Sequence, residues 1–421
     1  MIAVFAKQTG RMSPSLTAPQ AAWHKDAAVI GLVGIAHSIS HFSQLILAPL
    51  FPLLKAEFDV SYTQLGFVLT VFFVVSCAVQ TISGFVVDKI GPRPVLLGGL
   101  ALLAVAAFGY ASANSYTALT LWAVVAGVGN GVFHPVDYTL LNRKIDKSRL
   151  GHAYSAHGIT GTLGWALAPV MMVPLGAQFG WRVALASAGA LATVVWLLVW
   201  WHRERLALEV AVPQPASPTK PGAEGDFDFL RIPAVWMCFG FFFFYAGALS
   251  AVQAFAPEAA RQLHAVPLAW VATCLTVYML GSASGMVLGG FLAADPTRAE
   301  RVVGAGMGLA ACIALVLGLA PVPAWGVPLL FGLMGAASGT SGPSRDMLVK
   351  RSTPDNASGR VFGVVYSGLD IGQAIAPLLF GRMMDAQHYS SVFIGLALVQ
   401  MLLIGTAFNV RKVRRVALAP A

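Results

Sequence analysis

Long apolar segments recur along the whole chain, and this feature constrains the fold more than any other. Of the 421 residues, 57% are hydrophobic and only 11% are charged, whereas a soluble domain has about 25% charged residues. A helix needs about 20 mostly apolar residues to cross a bilayer. Twelve such segments span residues 28–50, 63–87, 95–113, 117–140, 152–175, 182–201, 233–256, 268–293, 302–320, 325–349, 361–384 and 390–410. The sequence therefore predicts an all-α membrane protein with twelve transmembrane helices.

The basic residues predict the orientation of these helices. With the N-terminus in the cytoplasm, the outer loops contain only Lys55, Arg182, Arg261 and Arg382, and most of the 27 basic residues lie on the cytoplasmic side. This is the bias that lysine and arginine show in membrane proteins. We expect cytoplasmic termini, with a flexible tail over residues 1–27, a basic tail over residues 411–421, and insertion in a bacterial inner membrane.

The chain divides into two related halves. A proline-rich polar stretch, residues 202–231, is predicted to be a flexible cytoplasmic connector between six-helix bundles at 28–201 and 232–410. At a constant offset of 208 residues, Gly127 matches Gly335, Gly131 matches Gly339 and Gly164 matches Gly372. Six helices per repeat give both copies the same orientation. Parallel repeats of this kind occur in transporters with a site between the two bundles.

The first apolar segment contains polar residues whose presence inside a membrane helix requires an explanation. His37 and His41 are four residues apart and share one helix face, which Gln44 continues. Polar and ionisable side chains are costly inside a membrane and often mark a solute or proton pathway. A buried histidine can also be a hydrogen-bonding residue alone. Because histidine changes charge near neutral pH, its protonation could bias inward-open against outward-open states.

Other segments supply further candidates, each with a structural alternative. Asp137 could be solvated near a helix end, and His134 could satisfy carbonyls freed by Pro135. Arg345 could snorkel to the surface, contact an anion, or pair with Asp137, its partner at the repeat offset. The candidates for the substrate or proton pathway beyond the first segment are Asn130, His134, Asp137, His157, Tyr245, Tyr278, Arg345, Asp370 and Gln373.

The loop after the second segment contains a recognisable pattern. Gly84, Asp88, Gly91 and Arg93 follow the spacing Gly-x3-Asp-x2-Gly-x-Arg, and a weaker version occurs at Gly290, Asp295 and Arg298. In this the chain resembles the major facilitator superfamily, and the resemblance extends over its whole length. It implies the two-bundle fold of that superfamily and a gating role for Asp88, Gly91, Arg93 and Asp295. The alternative is a basic loop that only sets topology.

Within that superfamily the chain most resembles the fosmidomycin-resistance-type exporters, mainly over its N-terminal half. The likeness lies in His37 and Gln44, Phe133-His134-Pro135, and Gly161-Thr162-Leu163-Gly164. Two positions depart from it, because His41 and Val136 stand where those exporters tend to carry an aspartate and a glutamate. The resemblance implies proton-coupled efflux of a small polar or anionic solute. Import of an organic anion or a metal chelate is the alternative.

Other classes of function have less support. There is no Gly-x4-Gly-Lys-Ser/Thr motif for ATP, no His-Glu-x2-His pair and no Cys/His cluster at ligand spacing. We therefore predict no enzyme, no metal and no cofactor apart from a coupling proton, carried by His41 or Asp370. An intramembrane metal enzyme and a non-transporting receptor stay as alternatives. The expected partners are a small-molecule solute and the lipid bilayer, without nucleic acid, and the chain is expected to act as a monomer.

Overall fold

The described part of the chain is helical and contains no strand. The computed structural model describes residues 18–146, 149–208, 231, 233–292, 298–344 and 358–417. Its first half contains α1 (Ala18–Gln44), α2 (Phe51–Phe58), α3 (Tyr62–Ile90), α4 (Pro92–Ala111), α5 (Tyr116–Asn130), α6 (Phe133–Lys144), α7 (Leu150–Phe179) and α8 (Trp181–Trp201). Its second half contains α9 (Pro233–Ala254), α10 (Ala256–His264), α11 (Leu268–Leu292), α12 (Ala299–Leu319), α13 (Gly326–Thr340), α14 (Ser358–Asp385) and α15 (Tyr389–Ala417).

Ten stretches of the described residues are long and apolar enough to cross a membrane. The other two predicted segments contain α13 and α14, and both include residues whose side chains lie outside the described part. The count of twelve therefore stays a prediction. Large apolar side chains such as Phe85, Trp201 and Phe291 are exposed on the helix surfaces, as expected where lipid replaces water.

Helix boundaries differ from the predicted segments at several places. α1 begins at Ala18, so part of the predicted tail is helical, and α15 continues to Ala417. The predicted first span breaks after Gln44, and the short α2 follows it with proline at its start. A proline is favourable in the first turn of a helix, because backbone N–H groups there have no acceptor within the helix and proline has no N–H. The predicted connector begins with a 3-10 turn, Arg203–Leu206, in which Leu206 is buried.

The predicted fourth span is two helices, α5 and α6, separated at Gly131 and Val132. Pro135 has no N–H to donate to the carbonyl four residues earlier, and its ring crowds that carbonyl. The Ser83 hydroxyl of α3 lies 3.3 Å from the Gly131 carbonyl and 3.2 Å from the Gln80 carbonyl of its own helix, so its one hydrogen is shared between them. The described hydrogen bond of His134 is with Gln80, and the alternative that it satisfies carbonyls freed by this proline stays a prediction.

The glycines paired by the repeat occupy equivalent contacts in the two halves. A Cβ on Gly127 would meet the Phe72 carbonyl of α3, and a Cβ on Gly335 would meet the Tyr278 carbonyl of α11. In a second pair, Gly164 faces the Ser38 carbonyl of α1 and Gly372 faces the Phe243 carbonyl of α9. Each half thus packs its helices through glycines at matching positions.

The two halves meet along a seam between α3 and α14. A Cβ on Gly66 would lie 2.5 Å from the Pro377 carbonyl oxygen, and the Thr70 hydroxyl donates to the Ala374 carbonyl. Only a glycine at position 66 therefore lets the two backbones approach this closely. Further along the seam, the Gln80 amide reaches Asp370.

One end of this seam, which we name the Tyr62 end, is closed by a helix cap shared between the halves. The Asp385 carboxylate accepts the backbone N–H groups of Tyr62 and Thr63 at 2.7 and 2.9 Å, and the Thr63 hydroxyl at 2.6 Å. Ser61 and Gln64 form a capping box on the same turn. Partial burial acts to raise the pKa of Asp385, but the hydrogen bonds from Thr63 and Tyr62 outweigh it and lower the pKa.

We expect Asp385→Asn to weaken closure of the Tyr62 end. Asparagine keeps one acceptor and loses the negative charge at the α3 N-terminus, which should destabilise the closed state by about 0.5–1 kcal/mol. Its population relative to the open state should fall about two- to fivefold. Spin labels at the exposed positions Ala56 and Leu268, in a background without the native cysteines, would report a longer distance between the halves.

The matched control for this measurement is Asp59→Asn. Asp59 ends α2 in the left-handed conformation with φ of 49°, which asparagine also tolerates, so this variant should keep the wild-type distances. Because a lowered pKa gives stabilisation above the ordinary pKa and loses it as pH falls through the lowered one, acid should open the wild type. Unchanged distances in Asp385→Asn would contradict the shared cap.

Candidate functional site

A fully buried carboxylate and two histidines meet in the first half of the chain. Asp137 of α6 has no exposed surface, and His37 of α1 and His157 of α7 are 2% and 6% exposed. Asp137 Oδ2 lies 2.9 Å from His37 Nδ1 and 3.0 Å from His157 Nε2. The alternative that Asp137 is solvated at a helix end is therefore wrong. The rings of His37 and His157 stack with centroids 3.6 Å apart.

The polar atoms of this cluster are incompletely satisfied. His157 bonds to Asp137, whereas His37 Nδ1 is within ion-pair distance of the same oxygen but lacks hydrogen-bond geometry. Among the described residues, Asp137 Oδ1 and His41 Nδ1 also have no hydrogen-bond partner. Buried polar atoms without partners are rare in folded proteins and call for an explanation such as an ion or ligand.

His41 and His134 extend the cluster on its less buried side. The His41 ring lies 4.3 Å from the His37 ring and stacks on Trp165 of α7 at 4.1 Å. His134 of α6 lies 5.5 Å from the His37 ring, and its Nδ1 is 2.8 Å from Gln80 Oε1. Four imidazoles from three helices therefore form one continuous group around Asp137.

A neutral hydrogen-bond network adjoins the histidines and is centred on Asn130 of α5. Its side-chain oxygen accepts from Ser40 at 2.8 Å and from Gln44 at 3.2 Å, and its nitrogen donates to Ser76 at 2.8 Å. Trp165 donates to the Gln44 oxygen at 3.0 Å. The network fixes the rotation of α1 relative to α3, α5 and α7, and so holds the histidine face of α1 in place.

Gln80 of α3 connects this cluster to the second half of the chain. Its oxygen faces His134, and its nitrogen donates to Asp370 Oδ2 at 3.1 Å. Asp370 lies in α14 and is buried, as is Gln373 one turn further along. A chain of polar side chains thus runs from Asp137 and its histidines to an acid across the seam.

The remaining candidates lie elsewhere or outside the described residues. Tyr245 packs half-buried against the apolar residues of the second half, and Tyr278 is buried where α11 meets α13. Arg345, Asp295 and the side chain of Asp88 lie outside the described part, so their predicted roles stay predictions.

The described part of the signature loop between α3 and α4 shows what two of its residues do. Gly91 adopts a φ of +84°, a conformation that favours glycine and supports the predicted turn. A Cβ on Gly84 would meet open space, so close packing does not require this glycine. Arg93 pairs at 3.1 Å with Glu204, beyond the end of α8.

Four residues of the site were not predicted from the sequence: Ser40, Ser76, Gln80 and Trp165. Ser76 and Gln80 are four residues apart within an otherwise apolar stretch of α3, a signal of the same kind as His37 and His41. A polar pair on one face of a membrane helix indicates an internal surface. Trp165 gave no such signal, because tryptophan is common in membrane helices.

Two equivalent halves around a buried polar core are typical of the class of solute transporters. A family model for the Major Facilitator Superfamily matches residues 33–333 and 255–420. The chain belongs to this superfamily, which confirms the resemblance, and it is an integral membrane transporter and not an enzyme.

Relatives and a solved structure agree with this assignment. The chain is 27% identical over 383 residues to the uncharacterized MFS-type transporter YfnC of Bacillus subtilis, covering 89% of this chain and 90% of that one. It is 28% identical over 189 residues to the fosmidomycin resistance protein of Escherichia coli, covering 42% and 44%. A bacterial homologue of the human lysosomal transporter Spinster, inward-facing and occupied, has the same fold, with a TM-score of 0.71, 14% identity and coverage of 92% and 97%.

We expect Gly161→Ala to disrupt the histidine cluster. A Cβ at this position of α7 would lie 2.8 Å from two atoms of His41 and 3.0 Å from His37 Nε2, so both rings must move. Gly158→Ala is the matched control, because its Cβ would meet nothing within 4 Å on the same helix.

The two variants should change the stability of the folded protein in opposite directions. Alanine at 158 should leave solute binding unchanged and add about 0.5–1 kcal/mol of helix stability. Alanine at 161 should lower the thermal midpoint and weaken solute binding about tenfold, a loss of about 1.4 kcal/mol. Thermal unfolding and ligand-induced stabilisation of the purified protein would measure both effects, and equal behaviour of the two variants would contradict the packing of His41 on Gly161.

Proposed function

We propose that this chain is a secondary transporter that exports a small polar or anionic solute by alternating access, driven by protons. The observation that carries the proposal is the pair of hydrogen bonds made by the Gln80 side chain, one with His134 and one with Asp370. One side chain thus joins a polar cluster in the first half to a buried acid in the second. Alternating access requires the two halves to separate along such a contact.

Asp370 is the residue best suited to carry the coupling proton. Its carboxylate is buried in a membrane helix, and among the described residues its hydrogen-bond partner is the neutral amide of Gln80. An ionised carboxylate without a cationic partner is costly in such surroundings. Binding a proton removes that cost in the closed seam, and opening the seam to water favours its release.

The histidine side of the site suits a polar or anionic solute. His41 and His134 are half-buried, whereas His37, Asp137 and His157 are buried. Trp165 stacks on His41 and donates a hydrogen bond to Gln44. Imidazole, indole and amide N–H groups are hydrogen-bond donors for oxygen-rich solutes. Similarity of one half of the chain to a fosmidomycin resistance protein supports export.

The expected topology completes the proposal. Twelve helices follow from the apolar segments, and cytoplasmic termini follow from the distribution of lysine and arginine. Similarity to bacterial proteins supports a bacterial inner membrane. In that orientation the Tyr62 end faces outward, and its shared cap corresponds to a state closed to the outside. The chain would act as a monomer, with Asp88, Gly91, Arg93 and Asp295 in the gating loops.

We expect Asp370→Asn to uncouple transport from the proton gradient. A solute found by thermal-shift screening of organic acids and phosphonates would be loaded into proteoliposomes, and its flux would be measured together with internal pH. Asparagine keeps the contact with Gln80 but cannot exchange a proton. Gradient-driven flux should fall about tenfold or more, while solute exchange at equal pH continues.

The control for this variant is Asp59→Asn, which changes an exposed acid and should leave coupled flux unchanged. Solute and protons moving in opposite directions would support export. Movement in the same direction would favour the alternative, proton-coupled import of an organic anion or metal chelate. Undiminished gradient-driven flux in Asp370→Asn would exclude Asp370 as the coupling site.

A further inference from the structure

The cluster around Asp137 has the donor atoms of a metal site. His37, Asp137 and His157 each offer one ligand atom, and these atoms all lie within 4.8 Å of one another. The three residues come from α1, α6 and α7, so their spacing in the sequence gives no sign of a shared site. All three side chains are more than nine-tenths buried.

The unpaired atoms of this cluster point to a ligand that would bind them together. Two imidazole nitrogens approach a single carboxylate oxygen, and only that of His157 forms a hydrogen bond with it. His37 Nδ1 is left without a hydrogen-bond partner although it is buried. A cation at the point where these three atoms converge would satisfy both nitrogens and compensate the charge of the carboxylate.

Two of the three separations between the ligand atoms agree with coordination of one ion. Ligand atoms about 2.1 Å from one ion lie about 3 Å apart at right angles and about 3.4 Å apart in a tetrahedron. The observed separations from Asp137 Oδ2 are 2.9 Å to His37 and 3.0 Å to His157. These values match adjacent positions around one ion. The rings of His37 and His157 are stacked, with centroids 3.6 Å and planes 25° apart, so binding would require the two rings to rotate until both lone pairs point at the ion.

A second set of ligands adjoins the first. His37, His41 and His134 also offer atoms within 4.8 Å of one another, so His37 belongs to both sets. His134 Nδ1 is held at 2.8 Å by the Gln80 oxygen, which leaves Nε2 as the ligand atom. Hydrogen bonding of the second ring nitrogen to an oxygen is the usual way in which proteins orient a metal-binding histidine.

We propose that His37, Asp137 and His157 bind a divalent transition-metal ion of the zinc, cobalt and nickel class, next to His41 and His134. Two imidazole ligands favour these ions, and a carboxylate oxygen is a common third ligand of zinc. Magnesium and calcium require sites made mostly of oxygen. The site departs from the prediction that the chain binds no metal, and it is independent of the direction and coupling of transport.

The test uses the full-length chain in detergent, purified with an affinity tag that contains no histidine and stripped of metal with a chelator. Zinc binding would be measured by titration calorimetry, and cobalt binding by its visible absorption and by X-ray absorption at the cobalt edge. We expect one tightly bound ion per chain, imidazole scattering in the X-ray spectrum, displacement of cobalt by zinc, and no displacement by excess magnesium.

Variants assign the ion to its ligands. His157→Ala removes a ligand atom and Asp137→Asn replaces a carboxylate by a neutral, weaker ligand, so each should weaken zinc binding by at least the roughly 10- to 100-fold that loss of an outer-shell partner costs. His152→Ala is the matched control, because this histidine lies on the same helix but is exposed, and it should bind zinc like the wild type. Should either ligand variant fail to fold, the X-ray spectrum of the wild type decides by its number of imidazole ligands.

Two results would overturn the proposal. One is a folded wild type that binds no zinc or cobalt beyond the amount bound by weak surface sites. The other is tight binding that persists unchanged in His157→Ala and Asp137→Asn. Because every readout is equilibrium binding in detergent, failure here leaves the proposed transport untouched, and loss of coupled flux in Asp370→Asn leaves the metal site untouched.

Discussion

The rest of the structure depends on a carboxylate that has no contact with solvent. Asp137 of α6 has no exposed surface and contacts His37 of α1 and His157 of α7. A buried charge needs such partners from its surroundings. Those partners come from α1 and α7, so the rotation of both helices about their axes is fixed. Gly161 lets the rings of His37 and His41 approach α7. The break at Gly131 and Val132 starts α6 as a separate helix, on which Asp137 lies.

The site and the seam between the halves share one side chain. Gln80 can hold His134 and Asp370 together only while α3 and α14 stay in contact, so separation of the halves must break or exchange one of its hydrogen bonds. The shared cap at Asp385 is the corresponding contact at the Tyr62 end. Coupling between two sites needs an element with two arrangements that both sites bias. Under the proposed transport cycle, the seam between α3 and α14 is the element that would have these two arrangements.

The sequence predicted the helical membrane fold, the superfamily and much of the site, for physical reasons that can be named. Membrane helices follow from the length of apolar segments, and the face of His37, His41 and Gln44 follows from helix periodicity. Which helices face one another is not encoded in local spacing. The burial of Asp137 and the roles of Ser76, Gln80 and Trp165 depend on that arrangement. The break in the fourth span was within reach, because Pro135 and Gly131 were both visible in the sequence.

The internal repeat separates scaffold from chemistry. Glycines at the offset of 208 residues make equivalent helix contacts in both halves, so symmetry was kept where backbones touch. The polar residues do not follow it, since Asn130 corresponds to Ser338, His134 to Gly342 and Asp137 to Arg345. The first half thus concentrates the histidines, and the second contributes Asp370 from a position with no acidic counterpart. Both bundles have the same glycine contacts between their helices, but their polar side chains differ. One bundle can therefore bind a ligand while the other bundle moves relative to it.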